Sequence, residues 1–235
     1  MNQKHLAKFI EYKDEVLVEE QWIGNNIKNW WQWVKKYTEK EFPEGNQPDG
    51  KLTRNQLKRL CSKDSHYADW ECLAAVMAWG GQNRKHGVTL FNRFDEIQPL
   101  IHDMRHGILS SQEAYSEFYK VWMKPEKLGM GAAYFTKLIF FCEPSHKGYI
   151  MDQWTSKSIN LLSGEKIVHL ISGHVSKNNT METYKKFCAL TDQIGDELGH
   201  KGEEIEIAMF SKGGRKKWKW RDYVVKEYKQ LKIRA

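Results

Sequence analysis

The chain has 235 residues, 40% of them hydrophobic, enough to build one large domain or two small lobes around a real core. No apolar run is long enough to span a bilayer, and the charged opening residues Met1 to Lys13 lack the apolar centre of a secretory signal, so a cytoplasmic location is expected. A formal net charge of +7 favours an anionic partner such as nucleic acid; the four cysteines, Cys61, Cys72, Cys142 and Cys188, form no C-x-x-C pair, which argues against structural zinc and iron–sulfur clusters.

In chain order, residues 5–18 and 27–40 carry apolar side chains at three-to-four spacing and are expected to be helices, the second holding Trp30, Trp31, Trp33 and Tyr37. Residues 41–51 read as a loop from their Pro, Gly and Asp content, and Thr53 as the cap of a short helix ending near Leu60. Residues 67–79 (YADWECLAAVMAW) form a candidate buried helix stopped by Gly80-Gly81, and 82–87 (QNRKHG) are expected to be a polar loop. Helices are expected over 90–103 and 111–124, the second capped by Ser110 or Ser111 and closed by Pro125. Further helices are expected over 132–141, 155–162, 180–199 and 203–210, before a basic tail at 211–235. With no β-pattern beyond isolated short pieces, the fold class is all-α.

The run from Lys127 to Trp154, KLGMGAAYFTKLIFFCEPSHKGYIMDQW, carries the chemistry. Leu128-Gly129-Met130-Gly131 lies between two expected helices. Glycines permit a tight turn with the backbone close to a partner. The turn opens directly into a helix N-terminus, whose free N–H groups and dipole favour an anion such as a DNA phosphate. Asp152 follows the apolar pair Ile150-Met151, where it also reads as a helix N-cap.

The sequence G-M-G-A-A-Y-F-T-K-L-I-F-F followed by Y-I-M-D-Q-W resembles the helix-hairpin-helix (HhH-GPD) DNA glycosylase superfamily and, within it, the bacterial 8-oxoguanine glycosylase-like (OGG-like) proteins; Gly131 and Asp152 match the superfamily's hairpin-to-aspartate spacing, and a looser resemblance runs over 68–210. The resemblance implies a two-lobed helical fold with a central DNA-binding cleft. It implies an enzyme that flips a damaged or modified, 8-oxoguanine-like base out of double-stranded DNA in base excision repair and cuts its N-glycosidic bond. Asp152 would be the carboxylate that stabilises positive charge on the sugar. Bifunctional members carry a nucleophilic lysine two residues after the second hairpin glycine, where this chain has Ala133. Lys137 lies one turn further on the same face and can lean back toward the helix start. Its neighbours Phe135, Leu138 and Ile139 would favour a neutral amine. Lys137 is therefore the candidate Schiff-base nucleophile of an AP lyase step; an ordinary lysine with a packed stem is the other reading, in which case Asp152 activates water.

The same resemblance makes Gly129, Met130 and Gly131 phosphate contacts, and Gln82, Asn83 and Arg84 the wedge and reader of the unpaired partner base, unless they are only a solvated loop. Trp154, Gln153 and Phe135 are candidates for the base pocket. In the tail, Arg215, Lys216 and Lys217 beside Trp218 and Trp220 suggest phosphate contact with stacking, against the alternative of rings folded onto the body. The nine histidines form no H-E-x-x-H, so neither a metal site nor a cofactor is expected, although a hairpin of this type can hold a monovalent cation on backbone carbonyls. The expected arrangement is a single glycosylase-like unit, with an N-terminal helical part about 1–65, a core about 66–210 and the tail 211–235. A monomer without a membrane partner is expected. Two alternatives stay open: excision of hypermodified bases from phage DNA as antiviral defence, and a non-catalytic DNA-binding protein.

Overall fold

Side-chain caps fix where several helices begin. Thr53 and Ser110 each head a capping box, accepting from the N3 backbone while Gln56 and Glu113 reach back to the cap, and Asp152 does the same with Thr155. In the computed structural model, residues 1–17, 22–211 and 218–233 are described. They form α1 (Gln3–Leu17), α2 (Ile27–Tyr37), α3 (Arg54–Cys61), α4 (Asp69–Trp79), α5 (Arg84–Asn92), α6 (Phe94–Arg105), α7 (Ser111–Met123), α8 (Ala132–Cys142), α9 (Gln153–Ser163), β1 (Leu170–Ile171), β2 (His174–Val175), α10 (Met181–Leu198), α11 (Gly202–Phe210) and α12 (Lys219–Ile233). The chain is all-α apart from the antiparallel pair β1–β2, in which Leu170 faces Val175. No described helix is long and apolar enough to cross a membrane.

The chain divides into two units, one of Met1–Trp22 with Tyr149–Ala235, the other Ile23–Gly148. The segment expected as an N-terminal part is thus shared between them. In the second unit, α4 is apolar all round and buried from Trp70 to Trp79, so α2, α3, α6 and α8 pack about it. Trp31, Phe42, Trp70, Phe91 and Phe94 form an aromatic cluster between these helices. Arg105, 4% exposed, ties α6 to the end of α3 by donating to the carbonyls of Cys61 and Ser62 and to Asp69. The segment 82–87, expected as a loop, is a correction: Asn83 accepts from Lys85 N and starts α5 there. Gly87 is helical because α2 lies against it; a Cβ would sit 2.7 Å from the Trp30 ring. The helix expected over 90–103 is likewise two, α5 and α6, broken at Arg93.

In the first unit, α9 is central, packed by α1, α10, α11 and α12. The tail holds a second correction. Its later part is the helix α12, and Trp220, expected to stack on DNA, is fully buried. Its indole meets Phe9 edge-on at 4.9 Å and donates to Ser158 Oγ at 3.0 Å, so it is core.

Candidate active site

The second unit holds the glycine corner between α7 and α8. Gly129 has φ +80°, and a Cβ there would lie 2.4 Å from His86 O and 2.8 Å from Leu90 N. Only glycine lets the corner press against the backbone of α5 in that conformation. Leu128 and Met130 are buried and anchor the corner from inside. Met130 therefore has little but its backbone to offer a partner. Gly131 is extended and heads α8 without a side-chain cap. With no capping oxygen of its own, that helix end keeps the electropositive character that favours an anion.

Gln82, expected as an intercalating wedge, is a correction. The residue is 3% exposed and its Nε2 donates to Gly129 O at 3.0 Å, while its backbone carbonyl accepts from Trp30 Nε1 at 2.9 Å. It braces the corner and cannot leave it to enter a duplex without giving up that bond. Asn83 and Arg84 are exposed; the Arg84 guanidinium lies 5.9 Å from the Trp33 ring centre. Phe135, expected in the base pocket, is a further correction: it has no exposed surface and packs among Tyr115, Phe118 and Trp122.

Lys137 is 6% exposed. Its amine folds back along α8, donating to Ala133 O at 2.8 Å and lying 5.3 Å from the Tyr134 ring centre. The aliphatic stem covers Gly80 at the end of α4, where a Cβ would come within 3.0 Å of Lys137 Cδ. Gly80 therefore does more than stop a helix: it leaves the space in which the lysine lies. The amine reaches the turn of Ala133, the position at which a nucleophile is expected from the resemblance.

In the first unit, Asp152 is 8% exposed and caps α9, Oδ1 accepting from Trp154 N at 2.8 Å and Thr155 N at 3.2 Å. Thr155 Oγ1 accepts from Asp152 N and donates to Ile150 O at 2.8 Å. The chain entering the cap is held too: Tyr149 donates to Asp192, and its carbonyl accepts from Tyr184 at 3.1 Å. Burial and that carboxylate push the Tyr149 hydroxyl well above its ordinary range. Arg221, 6% exposed, stands near the Asp152 charge; burial pulls its guanidinium down, and the charges of Asp152 and Asp222 oppose the pull. Trp154 lies between two cations, Lys157 at 4.4 Å and Arg221 at 4.5 Å from its ring centre. Gln153 accepts from Lys157 at 3.4 Å.

Arg215, Lys216 and Lys217 lie outside the described residues. Among the described residues, no group of three or more His, Cys, Asp or Glu is placed to hold a metal ion. Gly80 and Arg221 were not legible as site residues: the one reads as a helix stop and the other as part of a basic tail.

The mostly helical architecture, with its one short strand pair, is consistent with an all-α glycosylase fold. The family model described as "Putative 8-oxoguanine DNA glycosylase OGG-like protein" matches residues 17–210, and the chain belongs to that family. No curated protein and no solved structure matches it.

Proposed function

We propose that this protein excises an 8-oxoguanine-like damaged base from double-stranded DNA, with Asp152 as the catalytic carboxylate and Lys137 as an amine nucleophile. The observation that carries the reading is the family match, which spans the glycine corner, Lys137 and Asp152. Cutting the N-glycosidic bond builds positive charge at the anomeric carbon. A carboxylate already fixed by two backbone N–H groups meets that charge without reorganising. In the lyase branch Lys137, having given up its ammonium proton, bonds through its lone pair to the anomeric carbon as the base departs with the glycosidic electron pair and takes up a proton. Ring opening then moves a proton from the nitrogen to the ring oxygen and leaves a Schiff base. The amine must first leave Ala133 O, a neutral acceptor that gives it up at modest cost. The uncapped start of α8 supplies N–H groups for a backbone phosphate.

Borohydride trapping on duplexes carrying 8-oxoguanine tests this. The expected result is release of the free base together with a protein–DNA adduct that Lys137→Gln abolishes. Base release without an adduct would leave Asp152 activating water and remove the lyase step. No release from 8-oxoguanine duplexes would remove the proposed substrate, and binding without release of any base would leave a non-catalytic DNA-binding protein.

A further inference from the structure

The second unit has a pocket of about 310 Å³ beside α3, lined among others by Pro48, Leu52, Arg59, Leu60, His66 and Tyr67. It lies at the end of α4 away from the glycine corner. The end of α4 leads to Gln82, which holds Gly129. Asp69 at its start is joined through Arg105 to Cys61 O, Ser62 O and Ser65 Oγ, beside the pocket. The 11 residues of α4 set these two ends roughly 16 Å apart.

The pocket is preformed and its polar edges are unspent. Ser65 Oγ donates to Leu60 O at 2.6 Å and accepts from Arg105 at 3.1 Å, which pins the turn carrying His66 and Tyr67. The rings of His66 and Tyr67 lie against each other, 4.1 Å between centres. Pro48, Leu52 and Leu60 supply an apolar wall; Arg59, His66 and Tyr67 supply donors. Arg59 and His66 are exposed and Tyr67 is half-buried. Among the described residues, none of these three polar groups has a hydrogen-bond or ionic partner. The neighbouring carboxylates are engaged inward: Asp69 accepts from Arg105, and Glu71 from the backbone of Asn46 and Ala68. Residues 51–67 therefore hold five cations, Lys51, Arg54, Lys58, Arg59 and Lys63, against one acid, Asp64. Arg54 and Lys58 lie over the Phe140 ring, and Lys51, Arg59 and Lys63 face solvent.

These features select the occupant. Unpartnered donors within an excess of positive charge call for carboxylates. The apolar wall calls for an apolar side chain between them, which a phosphodiester backbone does not carry. Lys51 and Lys63 extend the charge beyond the lining, which suits a chain rather than a small molecule. We propose that this pocket docks an acidic segment of a partner protein, with one apolar side chain against Leu52 and Leu60 and flanking carboxylates on Arg59, His66 and the Tyr67 hydroxyl. The site shares no residue with those assigned to base excision and does not depend on them. Its place at the other end of α4 lets the partner be held while the glycine corner engages DNA.

The test selects displayed random peptides on the full wild-type chain, then measures the synthesised binders by fluorescence anisotropy, with a paired DNA duplex as a second ligand. The enriched peptides are expected to carry two or more carboxylates around an apolar residue. Arg59→Glu should weaken their binding at least about tenfold and leave duplex affinity unchanged. Lys185→Glu, the same charge change on an exposed position of α10, should leave peptide binding unchanged. Both substituted side chains are exposed, so the fold is retained. No enrichment, enrichment of peptides without carboxylates, or binding that survives Arg59→Glu would overturn the proposal. An equal loss with Lys185→Glu would show diffuse attraction in place of a pocket and overturn it as well. A parallel loss of duplex affinity in Arg59→Glu would give this face to nucleic acid instead. None of these readouts involves base release, so their failure leaves the excision reading standing, and the failure of excision leaves this site standing.

Discussion

The helix starts at α8 and α9 solve the same problem in opposite ways. Both present unsatisfied backbone N–H groups. At α9 the chain supplies its own anion, and the Asp152 carboxylate closes on two of those groups. At α8 the cap position is Gly131, which has no side chain to offer. One end is satisfied internally, which immobilises a carboxylate. The other has no side-chain cap. A cap therefore decides which N–H groups of a helix end stay available, and a buried Asp at a cap is held rigid by them.

The comparison breaks most heavily at Gly129. Gly129→Ala forces a side chain into a left-handed conformation and onto the α5 backbone, and should cost roughly 3 kcal/mol in chemical denaturation. A loss below about 1 kcal/mol would mean that the corner adapts easily. A gentler change, Gly131→Asp, would make α8 imitate α9. It should weaken duplex affinity about tenfold by competing with phosphate, at little cost in stability once the Trp122 ring, 3.1 Å from the new Cβ, has shifted. Unchanged affinity would show that the α8 start carries no phosphate.

At the other end, Asp152→Ala should lower unfolding stability by about 1 kcal/mol, and Asp152→Asn by clearly less because an oxygen remains to cap α9. The smallest effect concerns acid. Glu96 accepts two bonds from Arg93 and one from Lys124, and these hold its carboxyl down at about 2. A depressed carboxylate stabilises the fold above its ordinary titration range, near 4.5, and that contribution fades as pH falls from there toward 2. Because the pair is partly exposed, the loss should stay under about 1 kcal/mol. Arg93 also donates to Glu126 O at 2.7 Å, so the loosening belongs to the approach to α8 rather than to α9. Acid unfolding of Glu96→Gln, followed by hydrogen exchange, should therefore show a flatter response confined to the α5–α8 segment.

Much of the fold was legible in the sequence because the signals are local. Thr53 and Ser110 announce their helices, Gly80 ends α4, and the unbroken apolar run of α4 declares its burial. The errors arose where distant packing decides. Gly87 reads as a loop residue until Trp30 is seen against it, and Trp220 reads as an exposed stacking ring until Phe9 covers it. The wedge expected at Gln82 came from the resemblance of its loop; its bond to Gly129, 47 positions away, leaves no trace in local composition. The candidate site was legible as residue types at a spacing, in Gly131, Lys137 and Asp152. Gly80 under the lysine and Arg221, whose guanidinium feels the Asp152 charge, were not, because each meets its partner across the fold.

The most direct test is single-turnover base release from an 8-oxoguanine duplex by the wild type and by Asp152→Asn, with duplex affinity measured in parallel. The expected result is a fall in release of roughly 10²–10³-fold with affinity nearly unchanged. Release at the wild-type rate by Asp152→Asn would contradict the role assigned to this carboxylate and reduce it to the cap of α9.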